Sequence, residues 1–92
     1  MYQDRHIAVV GAGLVGSGWV IVFARGGHEV RVFDENRQIR ASLCDTIAAQ
    51  LRDLASHGLV DDVDSILARI HVCDTLADAV TDAFYVQESV LD

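Results

Sequence analysis

The chain has no proline and no lysine, only two cysteines and one tryptophan, and twice as many acidic as basic residues. Without proline, chain breaks fall to its seven glycines. All seven basic residues are arginine, and against fourteen acids they leave a formal charge of −7. That balance argues against a nucleic-acid backbone or an anionic membrane as partner, since both are met by a basic face. Cys44 and Cys73 stand far apart, outside any CxxC spacing. Two buried reduced thiols in a cytoplasmic protein are the favoured reading, with a disulfide as the open alternative. His6, His28, His57 and His71 show no metal spacing and read as structural or surface residues. Ninety-two residues suffice for one small core, burying about 60–65% of the unfolded surface.

One apolar run needs explaining. Ile7 to Ala24 is eighteen residues without a charge, long enough to suggest a membrane span or signal peptide. Gly11, Gly13, Gly16, Ser17 and Gly18 interrupt it, so a buried strand, a turn and a helix account for it better. His6–Val10 (HIAVV) reads as the strand, and Leu14 to Arg25 as the helix, ended by Gly26-Gly27. Apolar residues cover most of this helix, Trp19 to Phe23 included, which predicts burial on all sides. Glu29–Phe33 is a second strand. A long amphipathic helix follows over Arg37–His57, with Ile39, Leu43, Ile47, Leu51 and Leu54 on one face, ended by Gly58. A shorter helix is expected over Val63–Arg69, behind the acids Asp61, Asp62 and Asp64. Ile70–Cys73 reads as a third strand, Asp74 or Thr75 as the cap of a brief helix through Val80, and Phe84–Gln87 as a fourth strand. Alternating strands and helices imply an α/β fold of Rossmann type, with a parallel sheet and right-handed crossovers. Four strands are present, and the sheet reads as incomplete.

Gly11-Ala12-Gly13-Leu14-Val15-Gly16 fits GxGxxG. The pattern alone is weak, but here a strand precedes it, a helix follows it, and an acid ends the next strand. Gly11 permits the tight turn, Gly13 lets backbone N–H groups approach a pyrophosphate, and Gly16 allows close helix–strand packing. A helix start holds such an anion without basic side chains, which reconciles the site with the acidic composition. Asp34, eighteen residues after Gly16, is placed to accept hydrogen bonds from the adenosine ribose, each contributing about 1.5–3 kcal/mol. Its charge, joined by Glu35, repels the 2′-phosphate of NADP. The cofactor expected is NAD.

Thirty-odd residues of helical hairpin, Arg37 to Arg69, separate the second and third strands where one helix is usual. That hairpin, with GAGLVGSGW before it and DAFYVQESV after it, resembles the amino-terminal NAD domain of the 3-hydroxyacyl-CoA dehydrogenase family. GSGW and YVQES look most like its lambda-crystallin and gulonate 3-dehydrogenase branch. The resemblance covers essentially the whole chain. It implies residues 1–92 as the amino-terminal part of an NAD-binding domain, a fragment lacking the catalytic and dimerisation domain. It implies a strand order of third, second, first, fourth. It also implies an oxidoreductase turning the secondary alcohol of a 3-hydroxyacyl-CoA, or a related 3-hydroxy acid, into the ketone. The family's His–Glu pair that takes the hydroxyl proton lies beyond the fourth strand, so no catalytic residue is assigned here; neither His57 nor His71 matches it. The cofactor residues carried over are Gly11, Gly13, Leu14, Val15, Gly16, Asp34 and the loop after the fourth strand near Glu88 to Asp92, with Asp92 as its contact. Where family members read Val-Pro-Glu, this chain has Val90-Leu91-Asp92. Acyl-CoA users carry lysines in the hairpin; this one has Arg37, Arg40, Arg52 and Arg69, which favours a polar hydroxy acid.

Two rivals follow from the same residues. A flavoprotein also uses GxGxxG, but Asp rather than Glu at the second strand's end and the hairpin both disfavour it. A non-enzymatic NAD-binding or structural, crystallin-like protein is the second. The parent protein is expected to be a cytoplasmic homodimer acting on a small molecule, and the fourth strand to be an uncovered edge that makes the isolated chain poorly stable or self-associating.

Overall fold

The computed structural model describes residues 5–89. Its elements are β1 (His6–Val10), α1 (Leu14–Arg25), β2 (Val30–Phe33), α2 (Arg37–Ser56), α3 (Val63–Ala68), β3 (Ile70–Val72), α4 (Leu76–Val80) and β4 (Ala83–Glu88). The expected elements are all present, with β1 and α1 at the expected limits and the others displaced by a residue or two. The strands form one parallel sheet in the order β3-β2-β1-β4. The Ile7–Ala24 run is divided between β1, the glycine turn and α1.

Strand alternation sends side chains to two faces. Ile7 and Val9 of β1 and Val30 and Val32 of β2 share one cluster with Val20 and Ala24 of α1, Leu43, Ile47 and Leu51 of α2, and Ile66 of α3. The heptad-like face of α2 lands as expected, with Ile39 and Leu54 half-buried at its two ends. The opposite face is thinner. There β1 offers His6, Ala8 and Val10, and the five-residue α4 lies over the buried pair His6 and Ala8. His6 Nε2 donates to the Ala79 carbonyl at 2.7 Å; a carbonyl only accepts, so this nitrogen carries the hydrogen. Arg31 anchors the other side of α4, donating to the Asp78 carbonyl at 3.2 Å.

Two expectations are corrected. Helix α1 is docked rather than engulfed: only Gly16, Ser17, Val20 and Ala24 are buried, whereas Trp19 and Val22 are exposed at 37% and 57%. Apolar composition registered the helix's hydrophobicity but not which neighbours cover it, and no described element packs on its outer side. The cysteines are free but not buried, Cys44 being exposed and Cys73 half-exposed. Cys44 lies on the solvent side of α2, between the core positions Leu43 and Ile47.

The two sheet edges differ. Edge strand β3 has three residues, with its central His71 turned outward to Glu29 at 2.9 Å. Edge strand β4 has six and carries exposed Phe84, Tyr85 and Val86. A register shift beside His6 and Ile7 leaves Phe84 without a partner on β1. Such a bulge is one device that blunts an edge strand.

Candidate functional site

All four strands point the same way, so the loops leaving β1, β2, β3 and β4 converge on one rim of the sheet. Gly11 turns the chain out of β1 with φ +96°, a left-handed conformation that glycine adopts without strain. Its N–H donates to the Phe33 carbonyl at 2.8 Å, and Ser89 N–H donates to the Val10 carbonyl at 2.8 Å. The rim is thus sewn to both neighbours of β1.

Gly16 and Gly13 do different work. A Cβ at Gly16 would lie 1.8 Å from the Gly11 carbonyl oxygen, so only glycine lets α1 sit this close to the turn. A Cβ at Gly13 would meet nothing within 4 Å. The space at that point, beside the helix start, is open.

The four helix starts differ in the same place. Asn36 Oδ1 accepts from the N–H groups of Gln38 and Ile39, Asp62 from Ser65, and Thr75 from Asp78. Helix α1 begins at Gly13 with no side-chain cap and no acid in its first turn. Its first N–H groups, those of Leu14, Val15 and Gly16, have no acceptor within the helix, and no side chain of the helix itself offsets the partial positive charge there. Leu14 and Val15 are exposed at 84% and 59%, because they frame this opening instead of packing.

Asp34 does more than its position in sequence implied. Its Oδ2 accepts from Ala12 N–H at 2.8 Å, and its Oδ1 accepts from Asn36 N–H at 2.8 Å. The carboxylate therefore ties the glycine turn to the β2–α2 turn. Each oxygen retains a second lone-pair direction, since an ionised carboxylate can accept about four hydrogen bonds. Around it opens a crevice of about 500 Å³ lined by Val10, Gly11, Gly13, Phe33, Asp34, Glu35, Ile39, Leu76 and Ser89. Phe33, Ile39 and Leu76 supply apolar walls and Glu35 and Asp34 an acidic lip, a composition suited to a flat base joined to a sugar. Phe33, Ile39 and Leu76 were not singled out from sequence, whereas Ser89 belongs to the loop after the fourth strand, near Glu88 to Asp92, that the resemblance implied. Ile39 was visible only as a core position of α2, and Leu76 reaches the rim through the β3–α4 turn, which no motif marks.

Of the cofactor residues expected from sequence, Gly11, Gly13, Leu14, Val15, Gly16 and Asp34 all gather at this rim. Asp92 lies outside the described residues. A second cavity, of about 340 Å³, lies at the far end of the sheet between Arg25, Asp61, Asp62 and Arg69. Its polar groups serve the fold: Arg69 donates to the Ala24 carbonyl at 2.9 Å, and Asp62 caps α3. The hydroxyl and N–H of Ser65 hold the Asp62 carboxyl below its ordinary pKa. Cys73, close to the rim at the end of β3, is shifted the other way, its thiol pushed up by burial.

Known proteins share this arrangement. The sequence model of the 3-hydroxyacyl-CoA dehydrogenase NAD-binding domain matches residues 6–92. The chain is 39% identical over 85 residues to the L-carnitine dehydrogenase of Streptomyces coelicolor, an alignment covering 92% of this chain and 26% of that protein. It is 35% identical over 88 residues to the lambda-crystallin of Oryctolagus cuniculus, covering 91% of this chain and 27% of that one. Among solved structures, FadB2 of M. tuberculosis superposes with a TM-score of 0.87 at 32% identity, over 95% of this chain and 31% of its own. The chain thus spans about a quarter of the length of the curated relatives it matches.

Proposed function

Because the chain belongs to the 3-hydroxyacyl-CoA dehydrogenase NAD-binding domain family, we propose that its rim holds NAD for a dehydrogenase oxidising the secondary alcohol of a 3-hydroxyacyl-CoA or related 3-hydroxy acid. The observation that carries this is the uncapped start of α1 facing the open space at Gly13, with a carboxylate at the neighbouring strand end. The N–H groups of Leu14, Val15 and Gly16 hold the pyrophosphate, and the free lone pairs of Asp34 take the adenosine ribose hydroxyls. Phe33, Ile39 and Leu76 enclose the base. Asp34 and Glu35 disfavour the extra phosphate of NADP.

The chemistry that NAD supplies is acceptance of a hydride from the carbinol carbon. This chain's part is to bind and orient. The base that takes the hydroxyl proton belongs to the catalytic and dimerisation domain of a longer, homodimeric parent. Two features support a small polar hydroxy acid over an acyl-CoA: the absence of lysine between Arg37 and Arg69, and the identity to an L-carnitine dehydrogenase. A cytoplasmic location accompanies this reading.

Calorimetric titration of NAD and NADP into the chain and into Asp34→Asn tests the proposal. NAD is expected to bind well ahead of NADP, and the substitution to weaken NAD about tenfold or more, equivalent to about 1.4 kcal/mol. Equal binding of the two dinucleotides, or no binding by a folded sample, would overturn it.

A further inference from the structure

Arg40 sits in the second turn of α2, six residues after Asp34. In sequence it counted only as one of the hairpin's arginines. In the structure its side chain turns back toward the rim. One guanidinium nitrogen donates to the Asp34 carbonyl at 2.8 Å and the Glu35 carbonyl at 3.2 Å. The guanidinium carbon lies 5.5 Å from the centre of the Phe33 ring. Its Nε is buried without a partner among the described residues.

The Asp34 residue is consequently held from two directions. Its carboxylate bridges Ala12 and Asn36, while Arg40 pins its carbonyl and the next one. Holding the Asp34 carbonyl fixes the peptide plane that leaves Asp34, and holding the Glu35 carbonyl fixes the next, so the backbone that carries the Asp34 side chain is restrained at the rim. The planar fork of arginine on an aromatic face suits this task, whereas a flexible ammonium does not.

We propose that Arg40 is a positioning residue that aims the Asp34 carboxylate at the adenosine ribose and so sets the preference for its 2′-hydroxyl. The inference rests on the NAD reading given above. Its test is calorimetric titration of NAD and of NAD lacking the adenosine 2′-hydroxyl into wild type, Arg40→Met, Arg40→Lys, Asp34→Asn and the Arg40→Met/Asp34→Asn double variant, with thermal melts alongside. Wild type is expected to prefer the hydroxyl by about tenfold or more, the energy of a charge-assisted bond. Arg40→Met reduces that preference to about threefold or less, Arg40→Lys restores part of it, and Arg40→Met adds nothing further to Asp34→Asn. A merely structural arginine would lower the melting temperature and weaken both ligands equally. Should Arg40→Met fail to fold, Arg40→Lys carries the same ratio, expected between the wild-type value and unity. An undiminished preference in the foldable Arg40 variants overturns this inference and leaves the NAD site standing. Failure of folded wild type to bind NAD removes both.

Discussion

The rim of the sheet and its β4 flank end in opposite states. At the rim, each turn is tied to another: Gly11 to Phe33, Ala12 to Asp34, Asn36 to Asp34, Ser89 to Val10. On the flank, Trp19 stacks on Phe23 with centroids 5.5 Å apart, Phe23 meets Tyr85 edge-on at 6.0 Å, and the outer side of this aromatic row faces solvent. The backbone of β4 on its free side has no strand partner among the described residues. The rim shows that a binding surface needs only short-range ties between turns. The flank shows that burying an aromatic row takes another layer, and exposed contiguous patches of this kind mark contact surfaces or aggregation hazards.

The comparison breaks most completely at Gly16. Gly16→Ala drives a methyl group into the Gly11 carbonyl, and relief requires backbone movement that costs about 1–3 kcal/mol or more. In a chain this small, loss of both the cooperative melt and NAD binding is the expected result in circular dichroism and titration. Gly13→Ala separates the two properties. Its φ of −71° suits alanine and the added methyl meets nothing, so the melt should stay within about 0.5 kcal/mol of wild type. NAD affinity should still fall about tenfold or more, because the methyl stands where the pyrophosphate approaches. A Gly13→Ala variant that binds NAD normally would place the pyrophosphate elsewhere.

The flank yields to charge. Concentration-dependent association of the chain, followed by sedimentation velocity, is expected to weaken about tenfold or more in a Val22→Lys/Tyr85→Lys variant. Unchanged sedimentation in that variant would show that the chain associates through another surface. The cysteines give a smaller contrast. Cys44 is exposed, whereas Cys73 is half-exposed with its thiol pKa raised by burial, so iodoacetamide at neutral pH should modify Cys44 several-fold faster, as read by peptide mass spectrometry.

The smallest effect concerns acid. Asp62 titrates below its ordinary value in the folded chain because Ser65 donates to its carboxylate. Its capping contribution is therefore present at neutral pH and is lost as pH falls through the lowered folded value. The wild-type and Asp62→Asn melts should keep a constant difference above the ordinary value of 3.8 and draw together as pH falls below it. A difference that grows on acidification would reverse the sign and exclude the Ser65 bonds as its cause.

The limits of β1 and α1 were legible because glycine punctuation and an uninterrupted apolar run coincide there. The rim glycines and Asp34 were legible because strand, turn, helix and acid follow at fixed spacing. The exposure of Trp19 and Val22 was not, since periodicity measures what a helix could bury and not what lies beside it. Nor was the role of Arg40, which depends on its side chain reversing over the start of α2 to reach two carbonyls. Asp34 was half legible: its place at the end of β2 beside the glycine turn follows from the motif, but its bridge between Ala12 and Asn36 needs both turns in space.

Sequence by itself determined the alternation of elements, the acidic lip and the glycine turn, because these follow from local backbone preference and apolar spacing. Tertiary structure alone decided which glycine is a packing requirement and which is an opening, which arginine holds the binding turn, and which flank stays uncovered. Those depend on distances between residues remote in the chain, and local preference carries no information about them.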